Sequence, residues 1–226
     1  MNKEWSELNK SMQEQLRKEA TYSNGIETLL ELRQKMMIEI WRMKKELHSE
    51  DFSTMPFPGA NGYHSKTIAY SLWHIFRIED IVGHALIQRD EEIFFLNNYK
   101  ERIKSPIITT GNELLGQQIA DFSKELNLEQ LYQYINEVKE STEGILKNLV
   151  FQDMKQRFDD IDKSRLRKLQ VVSTQEQASW LIDYWCGKDI RGLIQMPFSR
   201  HWIMHIEACF RIENKIMKGK KYGGKS

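Results

Sequence analysis

Apolar positions along this chain recur with the three-to-four-residue spacing of helices, and strict alternation is almost absent. The exception is a short run, Leu169 to Val172, which fits a stub strand or an extended connector. Residues 3–20 are charged and weakly amphipathic, which predicts a peripheral helix. Asn24 with Glu27 reads as a capping box opening a long helix to His48. Its stripe includes Ile26, Leu29, Met36, Met37, Ile40, Trp41 and Leu47. Two prolines and an Asn-Gly pair then mark DFSTMPFPGANGYHS as a loop.

Residues 65–87 are apolar nearly all round, from Ile68 through Leu72, Trp73 and Phe76 to Leu86, so this helix is central. A short helix fits 90–97. Thr110 with Glu113 reads as a capping box for a helix to Leu126, and Asn127 with Gln130 opens another to Val150. QDMKQRFDDIDKSRLRK is charged and predicted to be solvated. Thr174 is the predicted cap of a helix carrying Trp180, Leu181, Tyr184 and Trp185. Pro197 suits the first position of a final helix to Lys218, with Gly219 as its stop and 219–226 as a flexible basic tail. Four long helices (24–48, 65–87, 127–150 and 197–218) joined by long connections predict an all-α, four-helix bundle with crossover connections. No composition break divides it, so residues 1–226 form one domain with a core at about 24–218.

Composition narrows the function classes. Thirty-three basic residues against 32 acidic ones give a net charge of +1, which disfavours nucleic acid as a partner. No apolar stretch reaches the roughly 18 residues of a membrane span. The start MNKEWSELNK lacks the apolar region of a signal peptide. Two cysteines, Cys186 and Cys209, make no disulfide framework, so a reduced, cytoplasmic protein is expected. At this length the core suffices for folding without a structural metal.

The candidate chemistry lies in six histidines. His201 and His205, spaced i, i+4 on the last helix, lie about 40° apart around the axis and about 6 Å apart along it, so both rings can reach one metal. They fall on the stripe Phe198, His201, Met204/His205, Ala208, Ile212, Ile216 that this helix would bury. Buried imidazoles need partners, and a metal supplies them. His74 sits in the all-round apolar helix and must also be buried or line a cavity. Three histidines from two helices leave a coordination position open, the mark of a catalytic site. The plainer reading is a hydrogen-bonded polar cluster in the core. His64 reads as a loop histidine able to gate a pocket or exchange a proton, His84 lies on the face opposite His74, and His48 ends a helix.

Two segments, SLWHIFRIED around His74 and RHWIMHIEACFRIE around His201 and His205, resemble the first-histidine segment and the final H-x-x-x-H segment of the DinB-like family of metal-binding four-helix bundles. Their separation and the long crossover between them fit the same family, over residues 24 to 218. The resemblance implies an up-down-down-up bundle, often homodimeric. It implies a divalent metal, Zn or Ni, on His74, His201 and His205, with water in an open position. Characterised relatives include transferases and isomerases that use mycothiol, bacillithiol or glutathione. The connection 151–196 is longer than the family's and carries its own helix, so it can reshape or lid the pocket.

Such a site supports a transferase acting with a low-molecular-weight thiol, held as thiolate on the metal. It also supports a hydrolase using a metal-bound water. A non-enzymatic, stress-related binding or scaffold protein is the third reading. Glu79, Asp80 and Glu207 lack i±3 or i±4 spacing from the motif histidines His74, His201 and His205, which tilts the choice toward thiol chemistry and a small-molecule substrate. Tyr70, Ser71 and Arg77 lie within a turn of His74, and Phe198 and Met204 flank His201. Tyr70 and Arg77 are the candidate cofactor-binding pair, with a surface ion pair as the plainer role for Arg77. Trp73 and Trp202 read as core packing, and Cys209 as a buried inert thiol.

Overall fold

The computed structural model describes residues 2–60 and 65–223, and among these every regular element is helical. His64 therefore lies outside the described residues. Helix α1 (Lys3–Gln15) is capped by Asn2, whose side chain accepts from the Trp5 amide, and it buries Trp5 and Met12. It packs on α2 (Tyr22–Glu46). Asn24 and Glu27 lie inside α2 and do not cap it. A 3₁₀ turn over Glu19–Thr21 delivers the chain into the helix two residues earlier than the capping signal suggested.

Helix α3 (Ile68–Asp80) starts on Thr67, whose hydroxyl accepts from the Tyr70 amide, and each of its residues is buried. It runs on as a wider π-helical stretch, Ile81–Gln88, and stops where Arg89 takes φ 62°. Two short helices follow, α4 (Ile93–Leu96) and α5 (Tyr99–Ile103). The Asp80 carboxylate accepts from the amides of Ile93 and Phe94, each at 2.9 Å, and so caps α4.

The helix predicted from Thr110 begins later, as α6 (Gln117–Glu125). Gly111 and Gly116 at φ 77° and 53° cannot lie in a right-handed helix, and they turn residues 110–116 into a loop. The Thr110 hydroxyl goes to the Asn112 side chain rather than to a helix amide. Helix α7 (Leu128–Asn148) follows the sequence expectation, since Asn127 Oδ1 accepts from the Gln130 amide at 3.2 Å.

The connection after α7 is more ordered than its charge suggests. A 3₁₀ turn, Phe151–Lys155, leads to α8 (Asp160–Leu169), capped by Asp159 and burying Leu166. Leu169–Val172 forms no strand: Gln170 turns at φ 55°, and Val171 and Val172 are buried in a connector. Helix α9 (Glu176–Cys186) starts after Gln175, with no cap from Thr174, and α10 (Ile190–Gln195) is capped by Asp189. A π-helical turn, Met196–Arg200, holds Pro197 near its start and leads into α11 (His201–Gly223). This helix passes through Gly219 instead of ending there. A helical glycine costs only about 1 kcal/mol, and the Lys220 ammonium, 2.8 Å from the Asp51 carboxylate, anchors the extra turn.

Helix α3 contacts α7 and α11, and α2 contacts the same two helices. A buried cluster ties all four together. The Arg33 guanidinium of α2 meets Glu79 of α3 at 2.7 Å and Glu143 of α7 at 3.2 Å. Glu79 also accepts from the indole of Trp202 on α11 at 2.7 Å and from the Thr142 hydroxyl. Among the described residues, no helix is long and apolar enough to cross a membrane.

Candidate metal centre

Helix α3 presents His74, and the first two turns of α11 present His201 and His205. The three are buried, and one ligating atom from each lies within 4.8 Å of the others. Ring centroids stand 5.1 Å apart for His74 and His201, 4.8 Å for His74 and His205, and 4.5 Å for His201 and His205. The i, i+4 spacing places the α11 pair on one side of that helix, and the contact of α11 with α3 brings the third ring to them. This group can hold one metal ion.

The three rings are held neutral, the state that coordination of an ion would need. His74 Nδ1 lies 2.6 Å from the carbonyl of Thr110. A carbonyl only accepts, so Nδ1 carries the proton and the Nε2 lone pair is left for coordination. Burial lowers the His74 pKa to about 4, opposed by the Thr110 hydrogen bond and aided by the nearby Lys66 charge. Burial also pushes His201 and His205 well below the usual imidazole value, with repulsion among the three rings adding to it. His201 Nδ1 is buried with no hydrogen-bond partner among the described residues. An imidazole donor set of this kind suits Zn, Ni, Cu or Fe.

The Thr110 carbonyl owes its place to the loop that displaced the predicted helix. Gly111 turns the backbone there, and the Tyr70 hydroxyl donates to the Gly111 carbonyl at 2.9 Å. A side chain at Gly111 would bring its Cβ to 3.0 Å from the Tyr70 ring and 3.1 Å from Trp73. Tyr70 itself stacks on His74, with ring centroids 5.4 Å apart and planes 11° from parallel.

The histidines open on a cavity of about 530 Å³. Tyr70 lines it, as the sequence suggested. Arg77, Ser71, Phe198 and Met204 are not among its lining residues. Arg77 is fully buried elsewhere: it donates to the Ile108 carbonyl at 3.0 and 2.8 Å, pairs with Glu92 and lies over the Phe94 ring. The surface ion pair expected of it is thus a buried one. Glu79 serves the Arg33 cluster, Asp80 caps α4, and Glu207 accepts from the Asn2 amide, so none of these carboxylates lines the cavity. Trp73 packs on Phe122 and Trp202 on Phe76, as core residues. Burial raises the Cys209 thiol to about 12, which keeps it protonated and inert. His84 bonds Asp90 and Ser141, and the amide of His48 donates to Asp51 at the start of a 3₁₀ turn.

Sequence reasoning missed much of the wall. Lys66 stands just before the Thr67 cap of α3, its ammonium 4.8 Å from the centroid of the Tyr70 ring, and burial lowers its pKa. Asn112 comes from the Gly111 loop. Trp180, Leu181, Tyr184 and Trp185 of α9, with Met196 and Pro197, close the side beyond the histidines. The available signal was on α9: two i, i+4 pairs, Trp180/Tyr184 and Leu181/Trp185, give it an apolar face wider than one packing stripe needs. No family model, curated protein or solved structure matches the chain.

Proposed function

We propose that this protein is a metal-dependent enzyme of DinB-like type that transfers a low-molecular-weight thiol, bacillithiol- or glutathione-like, to a small electrophilic substrate. The observation that carries the reading is the convergence of three buried, neutral imidazoles from two helices on the lining of one cavity. In this reading His74, His201 and His205 hold one divalent ion, Zn or Ni. The ring of contacts α2–α7–α3–α11 supports the four-helix bundle that the reading requires.

A bound divalent ion would supply Lewis acidity in the position that three histidines leave open, enough to keep a thiol ionised near neutral pH. The chain's own residues do the rest. Thr110 fixes the tautomer and angle of His74. The aromatic wall gives the cavity an apolar side next to the histidines. A hydrolase would need a base to move a proton, and no carboxylate is among the described lining residues, so thiol transfer is favoured.

Elemental analysis of tag-free protein tests the metal, with His201→Ala and His205→Ala beside the wild type. The expected result is about one equivalent of a transition metal in the wild type and loss in both variants. Failure to bind any metal after reconstitution would overturn the reading and leave a non-enzymatic binding or scaffold protein. A transfer screen with bacillithiol and glutathione against electrophiles then tests the chemistry.

A further inference from the structure

The wall of this cavity is divided by chemistry in a way that the metal site does not require. At one part stands Lys66, the one cationic side chain among the described lining residues, with no carboxylate partner among them. Its ammonium lies against the face of Tyr70 and is partly withdrawn from water. Another part is built by α9 and the turn after α10: Trp180, Tyr184, Trp185 and Met196 from the long connection, with Pro197 just beyond it. Trp180 is 49% exposed although it lines the cavity, so an indole is held at the rim without being used to fill the core.

Each half is incomplete alone. An ammonium in partly apolar surroundings gains most from an anion delivered without its water. Trp185 is buried and the Tyr184 ring carries the Lys188 ammonium at 4.3 Å, so the exposed indole of Trp180 is the aromatic surface left to gain by stacking on a flat apolar body. We infer that the electrophilic substrate is an aromatic acid: a planar ring system seated against the α9 aromatics, with its carboxylate paired to Lys66. This names the substrate class of the site proposed above and rests on that reading for its role in turnover. The binding itself uses Lys66 and α9 and does not need the metal.

The test uses the full chain stripped of metal by chelation, with 1-naphthoate and its uncharged analogue 1-naphthamide as probes, titrated by calorimetry at pH 7.5. Metal-free protein is chosen so that failure here is distinct from failure of the metal reading. Naphthoate should bind about tenfold more tightly than the amide, the size of one charge-assisted pair in a partly buried site. Lys66→Met should erase that ratio while leaving amide affinity within about twofold, and Lys66→Arg should keep it. Trp180→Ala, at a half-exposed position that folding does not depend on, should weaken both probes alike. Equal affinity of the two probes for the wild type, a ratio unchanged in Lys66→Met, or no binding of either probe would each overturn the inference.

Discussion

At the scale of single residues, the site sets coordination against stability. His201 Nδ1 is buried with no hydrogen-bond partner among the described residues. Such a group costs about 1–3 kcal/mol relative to a satisfied one. A side chain of similar reach without the nitrogen removes that cost, so His201→Leu should stabilise chelated protein by about 1 kcal/mol. The same variant should lose the stabilisation that added metal gives the wild type. Thermal melts with and without metal read both effects, and a destabilised metal-free His201→Leu would mean that the ring is already satisfied as a packing residue. A second case concerns the turn behind His74. Gly111 and Gly116 both have positive φ, but a Cβ at Gly116 meets open space, whereas at Gly111 it meets Tyr70 and Trp73. Alanine at either position should cost about 1–2 kcal/mol in backbone strain. Only Gly111→Ala should also displace the Thr110 carbonyl, with a loss of roughly 10–100-fold in metal affinity as expected for a misplaced outer-shell partner. Competition titrations with a metal-sensitive dye check this, and equal affinities in the two variants would show that the Thr110 contact does not orient the ligand.

At the scale of elements, the buried charge cluster does what apolar packing alone cannot: it links α2, α3, α7 and α11 in one register. Arg33 and Glu79 are both fully buried, and removing one partner leaves the other uncompensated. Glu79→Ala should therefore cost about 3–5 kcal/mol, visible as a lowered urea midpoint; a cost under 1 kcal/mol would show that Glu143 alone satisfies the arginine. The same elements show how far sequence reasoning reached. Helix existence was legible because the periodic stripes of α2, α3, α7 and α11 are long and mark buried faces. The i, i+4 pair on α11 was legible because helical spacing is local. Helix starts were legible only where local chemistry had no rival. Asn127 caps α7 as its motif predicts, whereas Thr110 gives its hydroxyl to Asn112 and its carbonyl to His74, because Gly111 within its motif and Gly116 after it force a loop. Arg77 was misplaced because spacing gives the turn it shares with His74 and not the neighbours, Glu92 and Phe94, that draw it the other way. The wall made by α9 depends on how the 151–196 connection folds back, which no local pattern encodes.

At the scale of the whole molecule, the question is whether the proposed metal would build the fold or only occupy it. Two extensive apolar clusters answer it. One runs from Trp5 through α2, α3 and α7 to Ile216, and the other joins the α1–α2 junction to α8, α9 and α10. Both are built by apolar packing, and the Arg33 cluster links the long helices through side chains other than the three histidines. The neutral state of the buried rings also lets them persist without an ion, since no buried like charges have to be separated near pH 7. Metal should then stabilise by mass action alone. At a free concentration 1,000 times the dissociation constant that amounts to about 4 kcal/mol, or roughly 8–16 °C in melting temperature for a chain of this size. Chelation should lower the melting temperature by up to that amount while the far-UV helical signal at 25 °C stays unchanged. The shift should grow with the logarithm of free metal and vanish in His205→Ala. Loss of the helical signal on chelation at 25 °C would show instead that α3 and α11 are held together by the ion, and that the two apolar clusters do not suffice.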